Sequence, residues 1–226
     1  MDYDVSALLN DLLTHAEADV RRNCAWQLGR LRQPVAVPAL SLACADPDAG
    51  VRLRAYEALA ILAEHADARA YAALLGGLRD VDAEARALAC VSLRAFAPLG
   101  RWDETTLSAL LASLDDPESV VRAAAAESLG QALDPQVWPA LAACLRDDPD
   151  AGVRYAARQA LLNGGGAAGQ ALLAALPASD DPVVLADLLE ALGQVGQGYQ
   201  PADLQPWLTH ADEAVRVAAH WAAGRV

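Results

Sequence analysis

The fold of this chain is decided by one repeated stretch, Asp116-Pro117-Glu118-Ser119-Val120-Val121-Arg122-Ala123-Ala124-Ala125-Ala126-Glu127-Ser128-Leu129-Gly130. When its arginine is taken as offset zero, equivalent positions recur along all 226 residues at spacings of 31, 34, 36, 32, 31 and 31. These positions are Arg21, Arg52, Arg86, Arg122, Arg154, Leu185 and Arg216. A fixed period of roughly 30 to 45 residues indicates a solenoid, because each repeat buries its apolar face only by stacking on its neighbours.

Each repeat is expected to hold two helices, with the arginine on the second. Asp-Pro pairs at offsets −6 and −5, such as Asp46-Pro47, are typical of a helix start, because the aspartate caps the helix and the proline fits its first turn. Apolar residues at offsets −1, 3, 7 and 10 form one buried stripe, and the usually small residue at offset three allows close helix packing. The predicted helices are 5–15, 18–31, 37–45, 51–63, 70–78, 82–96, 106–114, 117–133, 136–145 and 149–162. The glycine-rich run 163–169 is predicted to be a flexible turn.

This helical hairpin, with its Asp-Pro, Val-Arg and Ala-x-x-x-Leu-Gly elements, resembles the HEAT repeat, and in particular the HEAT-like repeats of the phycobiliprotein lyase type. The resemblance covers essentially the whole chain. It implies an all-α fold, a right-handed α-solenoid (superhelix) of about seven HEAT-like helical hairpins. Because no break in composition divides the array, we expect residues 1–226 to form a single HEAT-like repeat domain. Such repeats serve scaffolds, adaptors and several enzymes, so the fold alone does not fix the function.

The charge of the chain bears on the class of its partner. The formal net charge of −13 disfavours a nucleic acid or an anionic membrane, since such binding depends on basic side chains that neutralise phosphates. We therefore expect a protein partner, one with a basic surface. The four cysteines are scattered, no secretory signal opens the sequence, and glycines and a proline interrupt the charge-free run 159–179. These features predict a cytoplasmic protein without a membrane span.

The second helices provide the candidate interface. The resemblance implies that the helix with the Val-Arg pair lines the concave surface, and the helical period places offsets one, five and nine opposite the buried stripe. Acidic residues lie at the centre of this row and aromatic residues near its ends, and exposed Trp and Tyr are frequent in protein interfaces. The predicted protein-binding residues are Arg22, Trp26, Glu57, Glu127, Tyr155, Gln159, Glu190 and Trp221.

Two alternatives to this interface stay open. The glutamates of the row are also ordinary surface residues of stable helices, which would leave them without a binding role. The inserted loop 97–105 is a second place for an interface, because loops on repeat arrays often carry contacts. Its Trp102 is then either a contact residue or a plug over a helix end.

No catalytic constellation is recognised in the sequence. A His-Glu pair at offsets four and five would match the iron-binding HEAT-repeat hydroxylase, but His220 precedes Trp221. An acidic groove does not suit the HEAT-like DNA glycosylases. We therefore expect no catalytic, cofactor-binding or metal-binding residues, and a non-catalytic scaffold or adaptor that binds a partner protein on its concave helix face. The alternative is a phycobilin lyase-like or other modifying-enzyme subunit.

The sixth repeat departs from the pattern. Leu185 replaces the arginine, and Asp181-Pro182 lies only four residues before it, which would start the helix two residues late. In HEAT-like families the arginine of one repeat tends to bond the capping turn of its neighbour, so the resemblance implies a ladder that is interrupted here. These departures predict a hinge or a changed curvature between the fifth and sixth repeats.

Overall fold

The structure is a computed structural model that describes residues 4–65, 67–99, 102–132 and 134–225. Helices joined by short turns account for these residues, and no β-strand occurs among them. The α-helices are α1 (Val5–Thr14), α2 (Ala18–Leu31), α3 (Val37–Ala43), α4 (Ala49–Ile61), α5 (Ala68–Gly77), α6 (Ala83–Leu93), α7 (Glu104–Ala112), α8 (Ser119–Leu129), α9 (Val137–Asp147), α10 (Ala151–Leu161), α11 (Gly165–Ala175), α12 (Pro182–Val195), α13 (Gln205–Leu208) and α14 (Glu213–Ala223). The predicted all-α class and helix pairs are confirmed, with boundaries that differ by a few residues.

The contacts divide the chain into two compact units, Met1–Ala125 and Ala126–Val226. The first unit contains repeats one to three, built from α1 to α6, together with α7 and most of α8. The second unit contains repeats five to seven, built from α9 to α14. Within the first unit α2 packs on α4 and α4 on α6, and within the second α12 packs on α14. The single domain predicted for residues 1–226 stays a prediction.

The predicted apolar stripe forms the core of both units. At offset seven the leucines of the first six repeats are fully buried: Leu28, Leu59, Leu93, Leu129, Leu161 and Leu192. The mostly small residues at offset three are buried as well: Cys24, Ala55, Ala89, Ala125, Ala157, Leu188 and Ala219. A β-carbon added to Gly29 would lie 2.8 Å from the β-carbon of Ala58. Small residues therefore set the close approach of neighbouring second helices, as the sequence predicts.

The second helices are capped by a different aspartate from the one predicted. Asp48, at offset −4, caps α4 by accepting a hydrogen bond from the backbone N–H of Val51 at 3.0 Å. Asp46, at offset −6, is engaged elsewhere, because its carboxylate accepts from the backbone N–H of Asp48 and from the guanidinium of Arg21. The same offset, −4, provides the caps Asp150 and Asp212 of α10 and α14. The prediction that the Asp-Pro aspartate caps the helix was wrong, because that aspartate joins two repeats instead.

The arginines at offset zero form a ladder in the first unit. Nε and Nη2 of each guanidinium donate to the two carboxylate oxygens of the offset −6 aspartate in the next repeat, a pairing we call a rung. The rungs are Arg21 with Asp46 (2.7 and 2.8 Å), Arg52 with Asp80 (2.8 and 2.9 Å) and Arg86 with Asp116 (2.8 and 2.9 Å). Nη1 of each arginine donates to two carbonyl groups of its own repeat's turn. Such forked, charge-assisted bonds are among the strongest in proteins.

The rungs favour the ionised form of their aspartates. The hydrogen bonds from Arg86 are the main reason why the pKa of Asp116 lies below its usual value, and they outweigh the opposing effect of burial. For Asp80, burial acts to raise the pKa, but bonds from Arg52 and other donors outweigh it and the net shift is downward. Only 4% of the Asp80 side chain and 9% of the Arg52 side chain are exposed, so this rung is well shielded from water.

The sixth repeat keeps its helix start and loses its rung. Asp181 lies at offset −4 from Leu185, the usual capping offset, and accepts from the backbone N–H two residues later at 2.8 Å. The prediction of a late helix start was therefore wrong. Offset −6 is occupied by Ser179, whose hydroxyl oxygen accepts from the backbone N–H of Asp181 at 3.3 Å. The serine preserves the turn but has no charge to offer a preceding arginine.

The histidines at offset −6 serve their own turns. Nδ1 of His15 accepts from the backbone N–H of Glu17 at 3.1 Å, and Nδ1 of His210 accepts from the backbone N–H of Asp212 at 3.1 Å. Each histidine thus makes the bond that an aspartate makes at this offset in other repeats. These contacts give both histidines a structural role in their turns.

The glycine-rich run is helical rather than a flexible turn, so that prediction was wrong. A 3₁₀ turn at Leu162–Gly164 leads into α11, which begins at Gly165 with φ of 51°. A β-carbon on Gly164 would lie 2.8 Å from the indole of Trp138. A β-carbon on Gly169 would overlap the carbonyl oxygen of Gln197. Glycine is required here for close packing and for one positive φ, not for flexibility.

The insertion after the third repeat packs against a helix end. Its first residues form a 3₁₀ segment at Arg94–Leu99, and residues 100–101 lie outside the described part of the chain. The indole N–H of Trp102 donates to the carbonyl of Leu93 at 2.9 Å, at the last residue of α6. Since Trp102 is half-buried, these contacts favour the plug over the contact residue.

Candidate functional site

An open cleft of about 360 Å³ lies on the second helices of the first unit, and we call it the Trp26 cleft. It lies within the size range of small-molecule pockets. Helix α2 contributes Trp26 and Arg30, α4 contributes Arg54, Glu57 and Ile61, and α6 contributes Leu88 and Val91. Three successive repeats thus build one surface that is mostly apolar, with two arginines and one glutamate.

The charges in the Trp26 cleft leave one cation unpaired. Arg30 follows Trp26 by four residues, so its guanidinium carbon lies over the indole, 4.8 Å from the ring centroid. Arg54 donates to the Glu57 carboxylate at 2.6 Å, which neutralises that pair. Arg30 forms no ion pair with any residue in the described part of the chain. The cleft therefore presents an exposed aromatic face, 42% accessible for Trp26, beside a free guanidinium.

A related cleft lies in the second unit, and we call it the Trp221 cleft. It is lined by Ala186, Glu190, Gln194, Ala214, Val217, Ala218 and Trp221, from α12 and α14. Trp221 is 41% exposed, and Arg225 lies over its ring at 5.4 Å. Glu190 is 3.4 Å from Arg158, which also bonds Asp187 at 2.9 Å. No arginine lines this cleft, so its polar groups are a carboxylate and an amide.

The structure brings the predicted binding residues together in pairs. Trp26 lies with Glu57 in one cleft, and Glu190 lies with Trp221 in the other. The guanidinium of Arg22 instead lies 3.4 Å from the carboxylate of Asp48, in the turn of the next repeat. Glu127, Tyr155 and Gln159 are exposed on α8 and α10. All eight residues stay predictions as protein-binding residues.

Two features of this surface were missed from the sequence. The residues at offset nine were predicted to be exposed but were not named as binding residues. Two of them, Arg30 and Ile61, line the Trp26 cleft. The spacing of a tryptophan and an arginine four residues apart was the available signal. The acidic character of the row was also overestimated, because Glu57 and Glu190 each lie beside an arginine.

No three His, Cys, Asp or Glu side chains in the described part of the chain come together as a metal site would require. Burial raises the pKa of Cys44 and of Cys90 to about 12, so neither thiol ionises at neutral pH. Every helix in the described ranges is too short or too polar to cross a lipid bilayer.

Comparison with known proteins places this chain. A family model described as HEAT repeats matches residues 5–94 and 94–162, well over half of the chain. The chain belongs to the HEAT-repeat family. The bilin biosynthesis protein PecE of Mastigocladus laminosus is 36% identical over 99 residues, which are 44% of this chain and 37% of that protein. The match therefore spans about a third of that relative's length.

Solved structures agree on the fold. The complex of CpcE and CpcF of phycocyanin lyase from Nostoc sp. has a TM-score of 0.60 and 20% identity over 100% of this chain and 96% of that one. The Kap95p complex with RanGDP has a TM-score of 0.75 and 14% identity over 98% of this chain and 34% of that one. The predicted α-solenoid is confirmed, and so are HEAT-like repeats of the phycobiliprotein lyase type.

The expectation that this chain is not an enzyme was wrong. The finding that overturns it is that similar proteins are named as a bilin biosynthesis protein and as the two components of phycocyanin lyase. The scaffold interpretation depended on the lack of a recognised local catalytic motif in the sequence. A cleft assembled from single side chains of three successive repeats, as around Trp26, leaves no such motif in the chain.

Proposed function

We propose that this chain is a subunit of a bilin lyase-type enzyme, which binds a linear tetrapyrrole in the Trp26 cleft and works with a second protein subunit. Two findings support the assignment to bilins: the 36% identity to a bilin biosynthesis protein and the likeness to the phycocyanin lyase complex. This activity replaces the scaffold as the main function. Binding of a protein partner is part of it.

The chemistry of a bilin matches the groups in the Trp26 cleft. A bilin is a flat, conjugated chain of four pyrrole-type rings that carries N–H donors and two propionate carboxylates. The exposed face of Trp26 would stack on one ring, and aromatic stacking of this kind contributes beyond the buried area. The guanidinium of Arg30 would bind a propionate, and the carboxylate of Glu57 would accept from ring N–H groups.

The observation that carries this choice is the free guanidinium of Arg30 beside Trp26. The Trp221 cleft has the same aromatic group at the same offset, but Arg225 does not line it, and its charged lining residue is Glu190, a carboxylate beside Arg158. An anionic, flat ligand is therefore expected in the first cleft and not in the second.

The exposed helices of the second unit are the proposed contact surface for the partner subunit. Tyr155 is 65% exposed and Trp221 41% exposed, and such residues are frequent anchors of protein interfaces. Glu127, Gln159 and Glu190 are exposed on α8, α10 and α12, and these polar residues suit a partner with a basic surface. The similar lyase structure is itself a complex of two proteins. The cytoplasm is the proposed compartment.

A titration tests the proposal. Biliverdin, a linear tetrapyrrole, is added to the purified protein, and its absorbance and induced circular dichroism are recorded. Saturable, one-to-one binding is expected. Arg30→Gln removes the charge-assisted bond and should weaken binding by about tenfold, the equivalent of roughly 1.4 kcal/mol.

The matched control for this titration is Arg225→Gln, which alters the equivalent arginine over Trp221. Its affinity for biliverdin should equal that of the unchanged protein. The proposal would be overturned by an absence of saturable binding. Equal losses in the two variants would remove the Trp26 cleft as the site.

A further inference from the structure

Two arginines of the ladder, Arg154 and Arg216, bind no carboxylate among the described residues, and Arg154 is the one with a further repeat after it in this sequence. Arg154 lies at offset zero of the fifth repeat, and its Nη1 donates to the carbonyls of Asp148 and Pro149 at 2.9 and 3.1 Å. Arg86 holds the carbonyls of its own turn in the same way, at 2.9 and 3.3 Å. In Arg86 the remaining nitrogens, Nε and Nη2, bind Asp116. In Arg154 these nitrogens have no hydrogen-bond acceptor within the described ranges of the chain.

The register of the repeats explains the missing partner. The next repeat places Ser179 at offset −6, the offset of the rung aspartates Asp46, Asp80 and Asp116. The hydroxyl oxygen of Ser179 accepts from the backbone N–H of Asp181, as Asp116 accepts from the backbone N–H of Glu118 at 3.0 Å. The turn therefore keeps its side-chain to backbone hydrogen bond but lacks the negative charge of the aspartate.

We propose that the open fork of Arg154 is a binding site for a carboxylate from outside this chain. Its guanidinium is held in orientation by two carbonyl bonds, so little side-chain entropy is lost on binding. A carboxylate seated there accepts two parallel hydrogen bonds from Nε and Nη2, with the geometry of the three closed rungs. The inference concerns a different site from the Trp26 cleft and does not depend on the bilin proposal.

Side-chain NMR of the whole protein tests this site with acetate as the probe. Arginine Nε–H signals are followed as acetate is added at constant ionic strength. The Arg154 signal should shift saturably, whereas the Arg86 signal should not move because its rung is closed. Arg79 is exposed and has no ion pair among the described residues, so it reports ordinary surface binding. Arg154 should be half-saturated at about tenfold less acetate than Arg79, because its fork is already oriented.

The variant Ser179→Asp should supply Arg154 with a carboxylate from within the chain and so complete the rung. Its Arg154 signal should move toward the position of the Arg86 signal and stop responding to acetate, and the melting temperature should rise. Equal responses of Arg154 and Arg79 in the unchanged protein would overturn the proposal. An undiminished response in a folded Ser179→Asp protein would overturn it as well.

Two further titrations distinguish the possible sources of the carboxylate. Biliverdin and its dimethyl ester are compared, and an Arg154 shift with the free acid alone assigns the site to propionates. An acidic side chain of a partner protein is the assignment if both leave Arg154 unshifted while acetate still shifts it. Both assignments require the acetate response, so a protein that lacks it has no carboxylate site at Arg154.

Discussion

Neighbouring repeats are joined differently in the two compact units. In the first unit the arginines of three successive repeats each donate hydrogen bonds to the carboxylate of an aspartate in the following repeat, with N–O distances of 2.7 to 2.9 Å. At the junction of the fifth and sixth repeats, the equivalent Arg154 meets Ser179 in register and binds no carboxylate among the described residues. The close contact there involves Gly164, where an added β-carbon would lie 2.8 Å from the indole of Trp138.

The difference shows that one sequence signature does not imply one kind of junction. The Val-Arg pair of the fifth repeat looks like those of the first two repeats in sequence, yet its arginine lacks the partner that makes a rung. The free energy of unfolding should therefore depend on charge pairs in the first unit and on close packing at the junction of the fifth and sixth repeats. Stacking in solenoids is governed by nearest neighbours, so each junction can be broken separately.

The largest effect is expected from Arg52→Ala. This change leaves Asp80, whose side chain is 4% exposed, as a buried carboxylate without its cation. Loss of one partner of a buried pair typically costs about 3 to 5 kcal/mol. Arg154→Ala, the matched control, breaks no rung and should cost about 1 kcal/mol or less. Urea unfolding measures both, and equal losses would show that the rungs do not stabilise the first unit.

A smaller loss is expected from Gly169→Ala, which tests the packing of α11 against the turn that follows α12. The new β-carbon would overlap the carbonyl oxygen of Gln197, so the backbone must shift, at a cost of about 1 to 3 kcal/mol. Gly76→Ala is the control, since its β-carbon would meet no atom within 4 Å. That variant should gain about 0.5 to 1 kcal/mol from helix propensity. Thermal unfolding that ranks the two variants in the opposite order would refute this packing.

Acid should weaken the first unit through its rungs. The pKa values of Asp80 and Asp116 are lowered in the folded protein, so these carboxylates contribute stability that is complete above the unfolded value of about 4. That contribution is lost as the pH falls through their lower folded pKa values. Unfolding measured between pH 7 and 2 should show a steep loss below about pH 4. In Asp116→Asn the loss should be shallower, and an unchanged slope would contradict the assignment.

The sequence predicted the repeats and their core well because both follow from local periodicity. Offset seven is leucine and buried in six repeats, and the small residue at offset three sets the helix approach. The ladder was implied by resemblance, but the helix cap was misplaced, since Asp46 has a long-range partner that outweighs its capping role. Two residues of the Trp26 cleft, Trp26 and Glu57, were predicted as binding residues, whereas Arg30 was not.

The remaining errors share a physical cause. The Gly164–Gly166 segment was interpreted by its backbone freedom, whereas contacts with residues distant in sequence, such as Trp138, decide its conformation. The charge of Glu57 was counted without Arg54, which lies three residues earlier and neutralises it. The function was inferred from missing motifs, whereas the proposed site takes its residues from three repeats.

The smallest effect is expected in local opening at the fifth junction. The predicted hinge between the fifth and sixth repeats is not established, and the helix start of the sixth repeat is regular. The open rung at Arg154 still favours faster amide hydrogen exchange from residue 167 onward than in residues 51–160. Ser179→Asp should slow that exchange. Uniform protection across residues 162–192 would mean that the apolar residues around Leu185 and Leu188 form a seam as tight as a rung.

The central claim is that a bilin binds at Trp26, and fluorine NMR tests it most directly. The five tryptophans are labelled with 5-fluorotryptophan and assigned with single Trp→Phe variants, and biliverdin is then added to stoichiometry. The signal of Trp26 should shift or broaden because a ring stacks on its indole. The signal of Trp221, which has the same offset and nearly the same exposure, should stay in place. A change at Trp221 instead of Trp26, or no change at either, would contradict the account.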